Sequence, residues 1–370
     1  MKKLFLAALA ISVALGAGAA GKKKNWALKS SNPEFLASDS ARHVAGRVLL
    51  YQRDTGGWPK NIDMTRPLSP DEEALVRADK ARRDDSTTDN GATNLQIGFL
   101  ARMYKATGDT LYRDAVRRGV DYLLSGQYPS GGWPQFWPEN EGYQVHITYN
   151  DNAMTNTLGL IRSMMYGLEP YDQPGLLPDG YRHRLMEAFY KGVECILATQ
   201  IVDADGRLTV WCQQHYRDTY LPAPARAYEL PSYCSSESAA ILWLLMEIPR
   251  PDERIKRAVH AGMRWLDDHR VTGYRYERLD SLGQPDSRLV ADEGAGPLWA
   301  RFYDLEHAEP YVCDRDGIPR RHLEEIGSER RNGYGWYNDY PAALYPKYLD
   351  WARLNDPDHM ESLSLIQGQE

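Results

Sequence analysis

The sequence predicts an all-α fold: an α/α toroid of repeated helical hairpins, three pairs plus flanking helices, with a few short β-strands. Three observations predict it. A block is written twice, as Gly56-Gly57-Trp58-Pro59-Lys60-Asn61 and Gly131-Gly132-Trp133-Pro134-Gln135-Phe136. Each copy is followed by acidic and amide residues entering a helical pattern, Asp89-Asn90-Gly91-Ala92-Thr93 and Asn150-Asp151-Asn152-Ala153-Met154. Apolar residues at helical spacing return in paired segments. Gly turns follow the pairs, and from Gly57 to Gly132, Gly206 and Gly273 the intervals are 75, 74 and 67 residues. Self-similarity at a long period marks a repeat architecture, in which each unit buries its apolar face on its neighbours and equivalent loop ends gather on one side.

The elements follow in order. A flanking helix over Ser40 to Arg53 runs into Gly56. The first pair is carried by Leu95, Phe99, Leu100 and Met103, then by Val116, Val120, Leu123 and Leu124. The second is carried by Met154, Leu158 and Ile161, then by Leu185, Phe189, Val193, Ile196 and Leu197. The third spans Ala240 to Met246, then Ile255, Val259, Met263 and Leu266, opened by the cap-like Pro251-Asp252. The second helix of each pair ends at a Gly turn, Gly131, Gly206 or Gly273. Short strands are expected over Thr209 to Trp211 and Tyr274 to Arg278, and a solvated loop over Arg77 to Asp85. Runs of β-branched residues between the helices are few, which makes a layered βαβ fold a poor alternative.

Composition narrows the function. The chain has 370 residues, 42% hydrophobic and 26% charged, and no Pro-rich or Gly/Ser-rich linker divides it, so one domain is expected. A net charge of -7 argues against nucleic-acid binding. The 24 Tyr and 10 Trp against 6 Phe suit either a half-wet sugar groove or the boundary of a helical core. Lys2 and Lys3, the apolar run from Leu4 to Leu15 and Ala17-Gly18-Ala19 have the pattern of a secretory signal peptide over residues 1–20, leaving 21–370 as a single catalytic domain. A secreted or periplasmic monomer is therefore expected, with no membrane insertion, because the apolar run is too short to span a bilayer. Cys195, Cys212, Cys234 and Cys313 lack zinc-site spacing, and one or two disulfides would suit an oxidising compartment.

Chemistry concentrates in the duplicated loop ends. Asp89 with Asn90, and Asp151 with Asn152, stand just ahead of two helices in neighbouring repeats. Each alone reads as a helix cap. Their recurrence at matched places points instead to a hard-cation site, since Ca²⁺ takes about six to eight oxygens from carboxylates, amides and water. The nine His residues include no helix-spaced pair, which disfavours zinc.

Several ordered blocks carry a specific resemblance. Gly-Gly-Trp-Pro-Lys-Asn at 56–61, Asp-Asn-Gly-Ala-Thr at 89–93, Gly-Gly-Trp-Pro-Gln at 131–135, Ile-Thr-Tyr-Asn-Asp-Asn-Ala-Met at 147–154 and Ala-Arg-Ala-Tyr-Glu-Leu-Pro-Ser at 225–232 are similar to signature blocks of polysaccharide lyase family 10 pectate lyases. Trp-Ala-Arg-Phe-Tyr-Asp-Leu at 299–305, Asp-Arg-Asp-Gly at 314–317 and Arg-Arg-Asn-Gly-Tyr-Gly-Trp-Tyr at 330–337 extend the match to about residues 40–350. The resemblance implies calcium-dependent β-elimination in polygalacturonate, the de-esterified backbone of pectin, on an α/α toroid. It implies that Asp89 and Asp151 hold or organise Ca²⁺ with Asn90 as a further contact, and that Arg226 is the Brønsted base, with Asp89 counted beside it as catalytic. Arg301 and Arg315 match arginines that engage uronate carboxylates. Lys60, Trp58, Trp133 and Tyr149, from the same blocks, are expected substrate contacts.

Elimination removes a weakly acidic C5 proton beside a carboxylate, so cations near that carboxylate stabilise the developing charge. A guanidinium base is unusual. Neighbouring Ca²⁺ and other arginines are expected to depress its pKa by like-charge repulsion, and a base of high intrinsic pKa predicts best activity at alkaline pH. One departure from the family pattern is local: after Glu229-Leu230-Pro231-Ser232 a small Gly-containing turn is expected, and this chain has Tyr233-Cys234-Ser235. Glu237 reads as a helix-start residue. The main rival is a glycoside hydrolase on a similar toroid, using Asp89, Asp151 or Glu237 as acid and base. A non-catalytic glycan binder would keep the aromatic surface without needing Arg226, and a terpene cyclase is only faintly suggested by Gln127 ahead of Gly132-Trp133.

Overall fold

The computed structural model describes residues 25–281 and 284–367. The signal peptide expected over residues 1–20 lies outside them. The helices are α1 (Pro33–Ala37), α2 (Asp39–Tyr51), α3 (Pro70–Ala78), α4 (Asn94–Thr107), α5 (Thr110–Ser125), α6 (Ala153–Met165), α7 (Tyr181–Thr199), α8 (Ser235–Met246), α9 (Glu253–Asp268), α10 (Ser328–Gly333) and α11 (Leu344–Asn355). The fold is mostly helical, and the predicted pairs are α4 with α5, α6 with α7 and α8 with α9. First helices pack on one another, α4 on α6 and α6 on α8, while α7 packs on α9 and α2 on α5, so the hairpins form a double layer. Asp109 opens α5 by accepting from the Leu111 N–H at 2.9 Å, and Asp252 opens α9 by accepting from Arg254 and Ile255 N–H, each at 2.9 Å.

The repeat is held by three recurring devices. Each helix leaves its last four carbonyls without partners inside the helix. Indole Nε1 groups fill this need at equivalent ends: Trp58 donates to Val48 O, Trp133 to Leu123 O, Trp211 to Ile196 O and Trp299 to Leu266 O, at 2.7–2.8 Å. Gln amides, buried at Gln52 and Gln200 and half-buried at Gln127, then tie the turn to the next outer helix. Gln52 donates to Gly56 O and Ala115 O, Gln127 to Gly131 O and Ala188 O, and Gln200 to Thr209 O and Ala258 O. The third device is close approach. A Cβ on Gly56 would lie 2.3 Å from Arg118 O, and one on Gly131 would lie 2.0 Å from Lys191 O, so only glycine fits where the turn meets the neighbouring helix.

Trp211→Phe tests the first device. It removes the indole donor and leaves Ile196 O only the Thr199 hydroxyl at 3.1 Å, for an expected loss of about 0.5–1.5 kcal/mol of stability, read as a lowered urea midpoint at unchanged slope. A wild-type midpoint would mean that the carbonyl finds another donor.

The strands are short: β1 (Ile147–Thr148), β2 (Gln214–His215), β3 (Tyr233–Cys234), β4 (Tyr274–Ser281), β5 (Gln284–Ala291), β6 (Trp299–Ala300), β7 (Phe302–Tyr303), β8 (Pro310–Cys313), β9 (Pro319–Arg320) and β10 (Tyr337–Asn338). All pairings are antiparallel: β1 with β2, β4 with β5, β6 with β10, and a four-stranded sheet in the order β3-β7-β8-β9. The strand expected at Tyr274 is β4. The one expected at Thr209 to Trp211 is not formed, because these backbone groups bond Ile201 and Cys234 across a loop instead.

Three further expectations are corrected. The stretch Arg77 to Asp85 is not a plain solvated loop: α3 reaches Ala78 on a Ser69/Glu72 capping box, and Asp85 takes a 2.7 Å ion pair from the buried Arg53. Tyr233-Cys234 is no turn but strand β3, paired with Tyr303 and Phe302. All four cysteines are buried free thiols rather than disulfide partners, and Cys212 and Cys234 both donate to Gln213 Oε1, at 3.1 and 2.9 Å. Among the described residues no helix is long and apolar enough to cross a membrane.

Candidate active site

The duplicated loop ends fold into near-identical single turns, Asp89–Gly91 and Asn150–Asn152. Thr87 N–H bonds Trp58 O in one copy and Thr148 N–H bonds Trp133 O in the other, so the buried tryptophans set where each turn begins. Asn90 (φ 53°) and Asp151 (φ 51°) hold the left-handed conformation that Asn and Asp tolerate best. The structural match therefore pairs Asp89 with Asn150 and Asn90 with Asp151, and the two carboxylates do not occupy equivalent places. Asp89 and Asn150 point inward and are buried, whereas Asn90 and Asp151 are exposed. The two turns pack against each other.

Asp89 is 1% exposed. Its Oδ2 accepts from Lys60 Nζ and, at 2.9 Å, from Gln135 Nε2. Its Oδ1 is buried without a partner, as are Gln135 Oε1 and Thr88 Oγ1. Lys60 also stands 5.2 Å above the Phe136 ring. Asn90 is exposed and donates to Asn61 Oδ1 at 3.1 Å.

Asp151 leads to the arginines. Its Oδ1 lies 3.4 Å from Arg301 Nη2, which also donates to Asn150 Oδ1 at 3.1 Å and to Glu237 Oε1 at 2.5 Å. Arg301 is the single residue between β6 and β7, and both of its backbone groups are locked: its N–H donates to Trp336 O and its carbonyl accepts from Ser235 N–H. Burial opposes the Arg301 charge, but the groups around it, Glu237 first among them and Asp151 after, together outweigh burial and hold the guanidinium pKa above its ordinary value. Glu237 is thus more than a helix-start residue. Its Oε2 remains buried and unpartnered. Removing one partner of such a pair leaves a buried charge uncompensated, so Glu237→Ala is expected to cost about 3–5 kcal/mol, visible as a fall in thermal midpoint. A shift near zero would show that Asp151 alone satisfies Arg301.

Tyr334 is the hub of the basic cluster. Arg301 lies 4.6 Å from its ring centroid, Arg330 5.3 Å and Arg226 5.8 Å. Tyr228 faces Arg226 at 4.9 Å, Arg330 at 4.3 Å and Arg315 at 5.9 Å. Cations over aromatic faces are attracted by the ring quadrupole, which lets like charges sit close together. Arg226 and Glu229 close a turn through Ala225 N–H to Glu229 O and Glu229 N–H to Arg226 O. Within it Arg226 Nε donates to Glu229 Oε2 at 2.6 Å, and Nη2 pairs with Oε1. Burial works to lower the Arg226 pKa, but the bond and charge of Glu229 overcome it, and the net shift is upward. Among the protein's own groups, then, Glu229 opposes the depression expected from Ca²⁺ and the other arginines. Arg315 sits in the exposed β8–β9 turn with its guanidinium on Glu329, both bonds at 3.1 Å. Tyr143 joins the halves: burial raises its hydroxyl pKa, Arg226 lowers it, and Glu229, Tyr228 and Asp89 raise it, so it lies within electrostatic reach of both Asp89 and Arg226.

The structure thus brings Asp89, Asp151, Lys60, Arg226, Arg301 and Arg315 into one connected constellation. Trp58, Trp133 and Tyr149 do not join it as substrate contacts. All three are in the core, the indoles on helix-end carbonyls and the Tyr149 hydroxyl on Thr199 Oγ1 at 2.8 Å. Sequence reasoning missed Glu229, Tyr228, Tyr334 and Arg330. The available signal was their place inside the matched blocks 225–232 and 330–337, where Tyr, Glu and Arg recur beside the residues singled out.

Comparison with known proteins bears on the family and the fold. The family model described as pectic acid lyase matches residues 52–345. The family 10 polysaccharide lyase from Cellvibrio cellulosa is 36% identical, with a TM-score of 0.75 over 87% of this chain and 94% of that one. A mutant of that family 10 enzyme in complex with trigalacturonic acid is 35% identical, with a TM-score of 0.75 over 88% of this chain and 96% of that one. A search among curated proteins gave no match. Matched over most of its length in both sequence and fold, the chain belongs to the pectic acid lyase family and is a polysaccharide lyase.

Proposed function

We propose that this protein is a calcium-dependent pectate lyase, acting outside the cytoplasm, that cleaves α-1,4-linked polygalacturonate by β-elimination to 4,5-unsaturated oligogalacturonides. The observation that carries the reading is the meeting of the Asp89 and Asp151 turns with arginines gathered on Tyr228 and Tyr334. A chain of uronic acids is the polymer such a surface suits, because it offers a carboxylate at every ring to cations fixed in place.

The residues fit a hard cation. Asp89 Oδ1 is a buried oxygen in want of a partner, and the nearby donors are carboxylates and amides. Among the described residues no group of three or more His, Cys, Asp or Glu could hold a metal by itself. Asp89 and Asp151, with Asn90 as a further contact, would therefore hold Ca²⁺ only with oxygens from a uronate carboxylate and water. When bound, Ca²⁺ draws charge from that carboxylate and stabilises the charge that develops as C5 loses its proton.

This chain's own side chains supply the rest. Arg226, as neutral guanidine, takes the C5 proton. The C5–H electrons form the C4–C5 double bond, the C4–O4 bond breaks, and O4 leaves to be protonated by water. Arg301 and Arg315 hold uronate carboxylates, while Lys60 releases Asp89 and turns to substrate. Because Glu229 keeps the Arg226 proton on, the base form grows only as pH rises, so kcat is expected to climb through the alkaline range. An optimum on the acid side of neutrality would remove Arg226 as base. The hydrolase alternative needs two carboxyl groups facing each other across the substrate, whereas Asp89 and Glu237 each face a cation. Mass spectrometry of the products decides between the two: elimination makes one of the two fragments of each cleavage, the unsaturated one, lighter by one water than hydrolysis would, and products that are all at the hydrolytic mass would overturn the proposal.

A further inference from the structure

We propose that Glu229, braced by Tyr334, is the positioning residue for Arg226, fixing two of its nitrogens so that Nη1 is the one presented to the C5 proton. The inference rests on the reading of Arg226 as base. Glu229 is 1% exposed, and its carboxylate is saturated from every side. Oε2 accepts from Arg226 Nε at 2.6 Å and from the Arg226 backbone N–H at 3.2 Å, while Oε1 accepts from Arg226 Nη2 and, at 2.8 Å, from the Tyr334 hydroxyl. Among the described residues no hydrogen bond is made by Nη1, although the Arg226 side chain is 41% exposed. The guanidinium thus has a buried edge spent on Glu229 and an open corner toward the groove.

The arrangement resists rotation. Swinging the Arg226 side chain outward would strand the Glu229 carboxylate in the interior with no cation, held only by the Arg226 backbone N–H and the Tyr334 hydroxyl, which burial makes strongly unfavourable. Tyr334 serves both partners, since its hydroxyl braces Glu229 while its ring lies 5.8 Å from the Arg226 guanidinium carbon. The charged and titratable groups facing Arg226 are Glu229 and Tyr228 from its own turn, Tyr334 from the segment after α10, and Tyr143 from the segment before β1; Arg315 and Arg330 face it across the Tyr228 ring. Glu229 is the carboxylate among them. It therefore contributes two separable things: a place for the guanidinium, and a negative charge that keeps the proton on it.

Two variants separate these contributions, with initial rates on polygalacturonate followed against pH. In Glu229→Gln the anion is gone, so the guanidinium loses its proton more readily and the acid limb of kcat moves to lower pH. The rate above that limb falls about tenfold to a hundredfold through misplacement, with KM little changed. In Glu229→Asp the anion stays but is drawn back, so kcat falls while the limb keeps its position. This variant also serves if the amide version folds poorly, and Tyr334→Phe, which retains the ring, should show a smaller loss of kcat. A wild-type kcat and limb in both Glu229 variants, beside an inactive Arg226→Ala, would overturn the positioning role. Activity retained in Arg226→Ala would instead overturn the reading of the base, whatever the Glu229 variants do.

Discussion

Arg226→Ala is expected to lower the elimination rate by about 10²–10⁴-fold, the range a positioned base contributes, with a much smaller change in KM. The argument is geometric before it is electrostatic. Arg226 is held on its own turn by Glu229 and leans on the rings of Tyr228 and Tyr334, and neither Arg301 nor Arg315 can take its place without breaking its own contacts: Arg301 is anchored by Glu237 and Asn150, and Arg315 by Glu329. The substitution also leaves Glu229 without its cation, so a loss of stability accompanies the loss of rate, and kcat must be measured well below the thermal midpoint. Arg226→Lys separates the two effects. It keeps a positive charge near Glu229 but cannot make the forked bond, and its expected activity stays close to that of the alanine variant. Turnover near wild type in either variant would assign proton removal elsewhere.

Asp89→Asn is the second large effect, expected at about two to three orders of magnitude in kcat/KM, which matches the few kcal/mol of charge stabilisation that a metal at the reacting carboxylate supplies. The amide preserves size and can still meet Gln135, so packing is little disturbed. The anion is lost, and Lys60 keeps its charge with nothing opposite it, an arrangement that repels a cation where the carboxylate attracted one. The signature that distinguishes this from general damage is calcium dependence: the variant should need a higher calcium concentration for half-maximal activity and recover in part when calcium is raised. Asp151→Asn should show the same tendency more weakly, because Asp151 is exposed and shared with Arg301. An unchanged calcium response in Asp89→Asn would separate Asp89 from the metal.

Much of the fold was legible because the repeat writes its joints in rare residues. Trp58 and Trp133, each with a Gly-Gly turn before and a Pro after, mark equivalent places at a glance. Trp211 and Trp299 do the same work without those flanks and passed unnoticed, since the constraint is one indole N–H aimed at one helix-end carbonyl, and the neighbouring residues are free to change. The same physics inverted the role expected of these tryptophans: a side chain that recurs with the repeat serves the repeat, and a sugar-binding ring has no reason to. Helix α3 was illegible for the opposite reason. It buries no residue and stands on a capping box and Pro70, so periodicity had nothing to detect.

The candidate site divides in the same way. Asp89, Asp151, Arg226, Arg301, Arg315 and Lys60 could be named because their blocks are distinctive, and the structure connects them through Tyr334, Tyr143 and the packed turns. Their pairing could not be read. Arg226 meets Glu229 three residues away on a turn, whereas Arg301 meets Asp151 and Glu237 across 150 and 64 residues, and only the fold decides which carboxylate each cation finds. The reading of the base therefore left out Glu229, a buried carboxylate that pulls the Arg226 pKa upward against the downward pull expected of Ca²⁺ and the other arginines.

The most direct test of the central claim, that two acidic turns and an arginine cluster cooperate with calcium in one elimination site, is continuous ultraviolet absorbance of polygalacturonate incubated with the purified protein, with EDTA and then with excess calcium. Absorbance of the unsaturated product should rise from the start, stop on chelation and resume when calcium is restored. Chain cleavage that continues in EDTA, or that yields new reducing ends with no absorbance, would contradict it.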